Sequence, residues 1–373
     1  MSRVVARVDL DAVRHNAEQL KSRLASSTAF CAVVKADAYG HGADMVAPVV
    51  ADLADILAVA TVEEAEQLRT LLGRSVRILV LGHPDRCSLV RAADIGAESV
   101  VSDTAQLRAA PKGTPLHVKV DTGMNRAGFK SAAEAHASWR PDRVVGLMTH
   151  LACADDPSDP SVQQQLDRFL EACSLLDADH HLVRHAANTA ATLARPEAHL
   201  DMVRCGMGIY GVDPRRGGHG AGLLPALSLT SQVAHVWRAA PGEGVGYGHT
   251  FVTRRATTLA LVPVGYGDGM PRAVSNAGVV VVGDRPARIV GRVSMDSLVV
   301  DLGDHGAAVG DPVELIGPSI TASDVAESAR TIPYEILTRL SPRVPRVSTT
   351  ERVPGRTAAP PTSRGPVRPF SAS

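Results

Sequence analysis

The 373-residue chain has few cysteines, no charge imbalance and no long apolar run, and each absence removes a class of protein. Its five cysteines (Cys31, Cys87, Cys153, Cys173 and Cys205) are odd in number and widely spaced, and none forms a C-x-x-C pair. That pattern argues against a disulfide framework and against a zinc site, and it suits a reducing, cytoplasmic setting. Lysine plus arginine and aspartate plus glutamate each number 39, so nothing marks nucleic acid or an anionic membrane surface as a partner. No apolar run approaches the roughly 18–20 residues that cross a bilayer. The opening MSRVVARVDLDAVRHN lacks the continuous apolar stretch of a secretion signal. What remains is the composition of a soluble globular protein, 45% apolar and 21% charged, at a length that favours two domains.

Residues 1–225 alternate short apolar runs with polar or amphipathic stretches. The runs cover 28–35, 56–61, 76–82, 98–102, 116–121, 144–150, 181–185 and 202–211. Most lack polar alternation, as expected of strands buried on both faces of a parallel sheet. Between them Thr61-Val62-Glu63-Glu64 reads as a capping box, with Gly73 ending its helix, and 160–178 reads as a long helix. Strands alternating with helices predict a (β/α)8 barrel of the TIM type; an open doubly wound sheet is the competing arrangement. From 226 to 347 the chain is dense in Val and Leu broken by Gly, Pro and Asp, which predicts a mainly β domain of short antiparallel strands. The segment 348–373, rich in Pro, Ser, Thr and Arg, is expected to be a disordered tail.

The reactive side chains of the first domain fall at the C-terminal ends of the expected strands: Lys35, Lys119 and Asp121, His150, His185, and Arg204 in the last run. That face of a barrel carries the active site. A lysine leaving an apolar strand loses solvation, which favours the neutral amine that attacks a carbonyl; a snorkelling or ion-paired Lys35 is the competing reading. Asn188 and Thr189 open a helix where hydroxyl and backbone donors suit a phosphate, although both are also ordinary helix caps. Gly206 and Gly208 permit close backbone approach, and equally an ordinary tight packing.

Nine segments, in order, carry a resemblance: VVKADAYGHG, VKVDTGMNRAGF, THLACAD, HAANTAAT, MVRCGMGIYG, VGYGHT, VGYGDGMPR, GRVSMD and PYEILTRLSPRVPR. Together they span essentially residues 1–347 and resemble bacterial alanine racemase, a fold-type III pyridoxal-phosphate enzyme. The resemblance implies that Lys35 carries pyridoxal 5'-phosphate as an internal aldimine and is the base toward D-alanine. Tyr247 is then the base toward L-alanine, since racemisation needs a proton acceptor on each face of a planar carbanion. It implies a hydrogen-bond network of His150, Arg204 and that tyrosine. It also places Arg204 against the pyridine nitrogen, which arginine leaves unprotonated, so that transamination is suppressed.

The implied cofactor cradle comprises Tyr39, Asn188, Thr189, Gly206, Met207 and Tyr334. Arg126 and Met295 are implied to bind the substrate carboxylate, with Asp296 in the Met295 loop. Lys119 matches a lysine that is carbamylated in many members; an ion pair with Asp121 is the alternative. Asp155, Tyr266, Arg272, Arg292 and Ile332 match residues lining the entrance. The family further implies a head-to-tail homodimer whose second domains complete each other's active sites, and supply of D-alanine to peptidoglycan; no metal is expected. Thr189 stands where serine is usual, Ser294 where cysteine is frequent, and Asn125 where glycine is common. Racemisation of another small amino acid such as serine, a related decarboxylase, and a non-catalytic pyridoxal-phosphate carrier are the rival functions; the carriers lack the second domain.

Overall fold

The computed structural model describes residues 3–137, 142–177, 181–218 and 221–349. The chain opens with strand β1 (Val4–Asp9) and then builds eight parallel strands: β2 (Ala29–Val33), β3 (Ile56–Val59), β4 (Ile78–Val80), β5 (Glu98–Val101), β6 (Leu116–Lys119), β7 (Val144–Met148), β8 (Val183–His185) and β9 (Met202–Cys205). They pair in the order β8-β7-β6-β5-β4-β3-β2-β9. The seam between β8 and β9 closes through Asp201 N–H to Arg184 O (3.1 Å), Arg204 N–H to Ala187 O (2.9 Å) and the bridge Asn188–Arg204. The barrel is therefore nearly closed, and the open-sheet alternative falls away. The strands β2 to β6 are buried almost throughout, which is why their sequences show continuous apolar runs rather than alternation.

The helices carry the signals expected of them. Thr61 and Glu64 form a reciprocal capping box on Val62–Leu72, and Gly73 follows that helix at φ +73°. The long helix runs Ser161–Leu176 and is followed by Asp177, whose carboxylate accepts from the amides of His181 and Leu182 at 2.9 Å.

After the barrel come β10 (Leu227–Gln232), β11 (His235–Ala239), β12 (Gly244–Val245), β13 (Phe251–Val252), β14 (Thr257–Val262), β15 (Val279–Val282), β16 (Arg285–Val290), β17 (Leu298–Gly303), β18 (Pro312–Ile316) and β19 (Arg346–Thr349). A nine-stranded sheet runs β11-β14-β17-β16-β15-β18-β10-β1-β19, and β12 and β13 form a separate hairpin. The first strand corrects the expectation of a barrel over 1–225: β1 pairs antiparallel with β10 and parallel with β19. Its burial alternates, with Val4, Ala6 and Val8 inside and Val5, Arg7 and Asp9 less covered. That period suits a one-sided sheet, not a barrel strand covered on both faces. Ser348 and Thr349 likewise end a strand rather than begin a tail; the rest of the expected tail, from residue 350, lies outside the described residues. No helix among the described residues is long and apolar enough to cross a membrane.

Candidate active site

Lys35 stands two residues beyond the end of β2, and the chain then makes a turn that L-residues avoid. Ala36, Asp37, Ala38 and Tyr39 all have φ near +50°, a left-handed helical turn that costs roughly 1–2 kcal/mol per residue. Surrounding bonds hold it. The Glu64 carboxylate accepts from the Ala36 amide at 2.6 Å, and Asp37 accepts from the Ala43 amide through its side chain (2.7 Å) and from the Gly42 amide through its carbonyl (3.0 Å). Gly40, at φ +81°, has no room for a side chain: a Cβ there falls 2.1 Å from Leu337 O. This close approach seats the helix Pro333–Thr338, which carries Tyr334, on the Lys35 loop. Tyr39 then lies 6.1 Å from Tyr334 and 4.9 Å from Tyr210, centroid to centroid.

Opposite this turn, the Thr189 hydroxyl accepts from the amides of Gly206 (3.0 Å) and Gly208 (3.4 Å), with Met207 between them in the chain. A Cβ on Gly206 meets the Tyr39 Oη at 2.5 Å, so only glycine lets the main chain close on that phenol. Asn188 caps the helix Thr189–Ala194 through the Ala191 amide at 3.1 Å. Tyr39, Thr189, Gly206, Met207 and Tyr334, the residues that the resemblance implies as a phosphate cradle, thus lie together beside the Lys35 turn.

The charges at this mouth are lopsided. Burial lowers the pKa of Lys35, and Arg126 and Arg204 lower it further while Glu64 opposes them. Burial also lowers Lys119, again aided by Arg126 and Arg204. His150 is brought to about 3 by burial and by the same arginines and lysines. Five cationic or basic groups therefore crowd one another. Asp121, the anion nearest in sequence to Lys119, is engaged elsewhere: it pairs with Lys130 at 2.7 Å and accepts from the Gly123 and Asn125 amides. The Lys119–Asp121 ion pair considered as an alternative is not formed. Such a cluster suits a ligand bearing several negative charges, and with the cradle of hydroxyls and amides the residues fit a phosphorylated cofactor bound next to a lysine.

Arg204 is buried and organises the inner end of the site. Its Nη1 donates to His185 Nδ1 (2.8 Å) and His185 O (2.9 Å), and its Nη2 to Thr149 O (2.9 Å), Ala186 O (3.1 Å) and, more weakly, His150 Nδ1 (3.3 Å). Its Nε–H takes no acceptor among the described residues. Asn125, just before Arg126, sits at φ +54°, a left-handed position that asparagine tolerates, which accounts for its standing where glycine is common.

The second domain builds a separate cluster. Tyr247 lies in the short turn between β12 and β13 and is 72% exposed, and Met295 is 53% exposed. Ile332 and Tyr266 are also exposed. The Tyr266 amide donates to Ser294 O (3.0 Å) and the Gly267 amide to Met295 O (2.9 Å), so these two loops form one unit. Ser294 ties the loop's turn by bonding Ser297 O at 2.7 Å. Arg292 packs its guanidinium 3.0 Å from where a Cβ on Gly248 would stand, next to Tyr247. Arg272 and Asp155 are surface residues.

Within one chain the structure brings Lys35, Tyr39, Lys119, Arg126, His150, Thr189, Arg204, Gly206 and Tyr334 together. It leaves Tyr247 and Met295 outside that cluster, since the groups acting on Lys35, Lys119 and His150 are all barrel residues.

Sequence reasoning missed several supporting residues. Glu64 reads only as a helix cap, yet it also holds the Lys35 turn. Buried Asp268 anchors the Met295 loop by pairing with Arg3 (2.5 Å) and Arg343 (2.8 Å), and Arg343 also reaches Asp296 (2.9 Å). Glu98 and His117 lie buried inside the barrel; a glutamate heading the otherwise apolar segment Glu98–Val101 was the available signal.

By fold and site, the molecule is a barrel enzyme built to hold a small, multiply charged anion beside a lysine. The family described as "Alanine racemase, N-terminal domain" matches residues 8–214, and that described as "Alanine racemase, C-terminal domain" matches residues 226–348. The chain belongs to the alanine racemase family. An alanine racemase of Thermobifida fusca is 43% identical over 366 residues, covering 92% of this chain and 97% of that protein. The crystal structure of the biosynthetic alanine racemase of Pseudomonas aeruginosa superposes with a TM-score of 0.86 at 40% identity, covering 94% of this chain and all of that one. That of a Bartonella henselae alanine racemase, with covalently bound pyridoxal phosphate, gives 0.87 at 32% identity, covering 94% of this chain and 100% of that one.

Proposed function

We propose that this protein interconverts L- and D-alanine with pyridoxal 5'-phosphate carried on Lys35, using Lys35 and Tyr247 as bases on opposite faces of the substrate. The observation that carries the reading is the crowd of basic groups at the barrel mouth, gathered around a lysine whose pKa is lowered by burial. The bound cofactor supplies the electron sink that makes the α-proton removable. Every other part falls to the chain. Tyr39, Thr189, Tyr334 and the Gly206–Met207 amides hold the phosphate, Arg204 faces the ring, and Arg126 and Met295 orient the substrate carboxylate. Burial and the Arg126 charge favour the neutral amine of Lys35, the form that accepts a proton at Nζ.

His150 helps the second base. Its Nδ1 accepts from Arg204, so the neutral ring carries its proton on Nε2, where it is available to a tyrosine oxygen. A donor there hydrogen-bonds the phenolic oxygen and orients it. Because Tyr247 and Met295 stand exposed and apart from their own chain's cluster, a second copy supplies them, and a homodimer with two shared sites follows. Asp155, Tyr266, Arg272, Arg292 and Ile332 then line the entrance. The product serves peptidoglycan synthesis in the cytoplasm.

Lys119 is assigned as a carbamate: its lowered pKa favours the neutral amine, which adds CO2 and releases a proton, and the new carboxylate neutralises Arg126. With 13C-bicarbonate, a carbamate carbon resonance is expected in the wild type and not in Lys119→Ala; its absence from both contradicts the assignment.

The function is tested by proton NMR with L-alanine in D2O, coupled to chiral analysis. Loss of the α-proton signal with appearance of D-alanine is expected. Neither, in protein that binds the cofactor, rejects alanine and directs the assay to serine and then to a carrier role.

A further inference from the structure

Behind Arg204 a line of hydrogen bonds runs through the barrel interior. Arg204 Nη1 meets His185 Nδ1 at 2.8 Å, His185 Nε2 meets His117 Nδ1 at 2.8 Å, and His117 Nε2 meets a Glu98 oxygen at 2.8 Å. Both imidazoles are fully buried, and Glu98 and Arg204 nearly so. At the far end Arg77, half exposed, clamps the Glu98 carboxylate through Nε (2.7 Å) and Nη2 (3.1 Å). Room for this line is made by Gly146 on β7, where a Cβ would fall 2.3 Å from His117 Nδ1.

The two ends allow one proton arrangement. A guanidinium only donates and an ionised carboxylate only accepts. His185 Nδ1, facing Arg204, is therefore an acceptor, so His185 carries its proton on Nε2 and donates to His117 Nδ1. His117 then carries its proton on Nε2 and donates to Glu98. A charged His117, the usual partner of a carboxylate, is excluded by the same logic. Its Nδ1–H would need His185 Nε2 as an acceptor, which would move that ring's proton to Nδ1, against the Arg204 donor. Burial holds His185 in the neutral form. Burial raises Glu98, but the bonds from His117 and Arg77 outweigh this and bring it to about 2.

We propose that Glu98 and His117 are positioning residues for the cofactor: through a one-way relay of two neutral histidines they supply the remote countercharge of Arg204 and hold its Nε–H toward the ring. Among the described residues Arg204 has no carboxylate in direct contact; its terminal nitrogens meet carbonyls and imidazoles. Glu98 is the anion to which that buried charge is tied, two imidazoles away, and each bond in such a chain polarises the next. The proposal rests on the reading of Arg204 as the residue that faces the cofactor ring.

The test is proton and 15N NMR of histidine-labelled holoenzyme, with steady-state kinetics on the same preparations. The wild type is expected to show His117 and His185 as neutral Nε2–H imidazoles at neutral pH, as the bonding pattern requires, each with a downfield, exchange-protected proton. Glu98→Gln, which removes the charge and keeps the shape, is expected to move both resonances. The shift of His185 is the telling one, because that ring does not touch residue 98. The kcat is expected to fall about tenfold with KM for alanine held within about twofold. Glu98→Asp, which draws the charge back by one methylene, gives the same pattern in weaker form and serves if Glu98→Gln does not fold.

A charged or Nδ1–H His185 in the wild type, or a shift confined to His117, overturns the relay. Both resonances moving with kcat unchanged overturns the positioning role. If the wild type does not racemise alanine, the spectrum still decides the relay, and the failure belongs to the proposed function.

Discussion

Glu64 holds the amide of Ala36 at 2.6 Å while the same carboxylate caps the helix at Thr61 and accepts the Ala60 amide at 2.7 Å. One side chain thus fixes the turn after Lys35 to the start of a neighbouring helix. Glu64→Ala loses the cap and leaves the left-handed turn without its first anchor. A loss of about 1–2 kcal/mol is expected from the cap alone, read by thermal or denaturant unfolding. Glu64 is also the group that raises the Lys35 pKa against its cationic neighbours. The Lys35 pKa should therefore drop further in Glu64→Ala, and the pH profile of pyridoxal-phosphate uptake should move to lower pH. An unmoved profile contradicts this electrostatic role.

Acid should destabilise the protein before most of its carboxylates titrate. Burial brings His41 to about 4 and His150 to about 3 and holds His185 well below its usual value. The unfolded chain protonates these rings near pH 6.5, so it binds more protons than the folded chain below that pH, and stability falls as the pH falls. Glu98, depressed in the folded state, adds a second loss from about 4.5 down toward 2. The contribution of each histidine is on the order of 1 kcal/mol per pH unit. Equilibrium unfolding between pH 7 and pH 5 should show this slope, and His41→Phe, which replaces a ring whose Nε2 has no partner among the described residues, should reduce it by about a third. A flat profile contradicts the assignment.

The shared site is testable by mixing inactive variants. Lys35→Ala and Tyr247→Phe homodimers are each expected to be nearly inactive. After dissociation and reassociation, half the dimers are hybrids with one intact site, so about a quarter of wild-type activity should return. No recovery in verified hybrids contradicts a site built across two chains.

How much was legible in the sequence follows from the kind of signal each part carries. The barrel strands read correctly because burial on both faces leaves continuous apolar runs, as in Ile56–Val59, and the Thr61–Glu64 cap reads from four residues alone. β1 misled because the order of elements along the chain does not say which sheet a strand joins; only its alternation, Val4, Ala6 and Val8 inward, hinted at the second domain. In the site, Lys35, Arg204 and the Gly206 approach were visible as strand ends and motifs. The roles of Glu98, His117 and Asp268 depend on partners brought together from distant strands and loops, and no local pattern encodes those meetings. The same holds for the left-handed run from Ala36 to Tyr39, where residues without glycine's freedom are held by contacts made elsewhere.

The most direct test of the account is α-proton exchange in D2O by Tyr247→Phe, measured separately from L-alanine and from D-alanine. With Lys35 intact, exchange from D-alanine should persist while exchange from L-alanine falls by about a hundredfold or more. Equal loss from both enantiomers contradicts the assignment of Lys35 and Tyr247 to opposite faces.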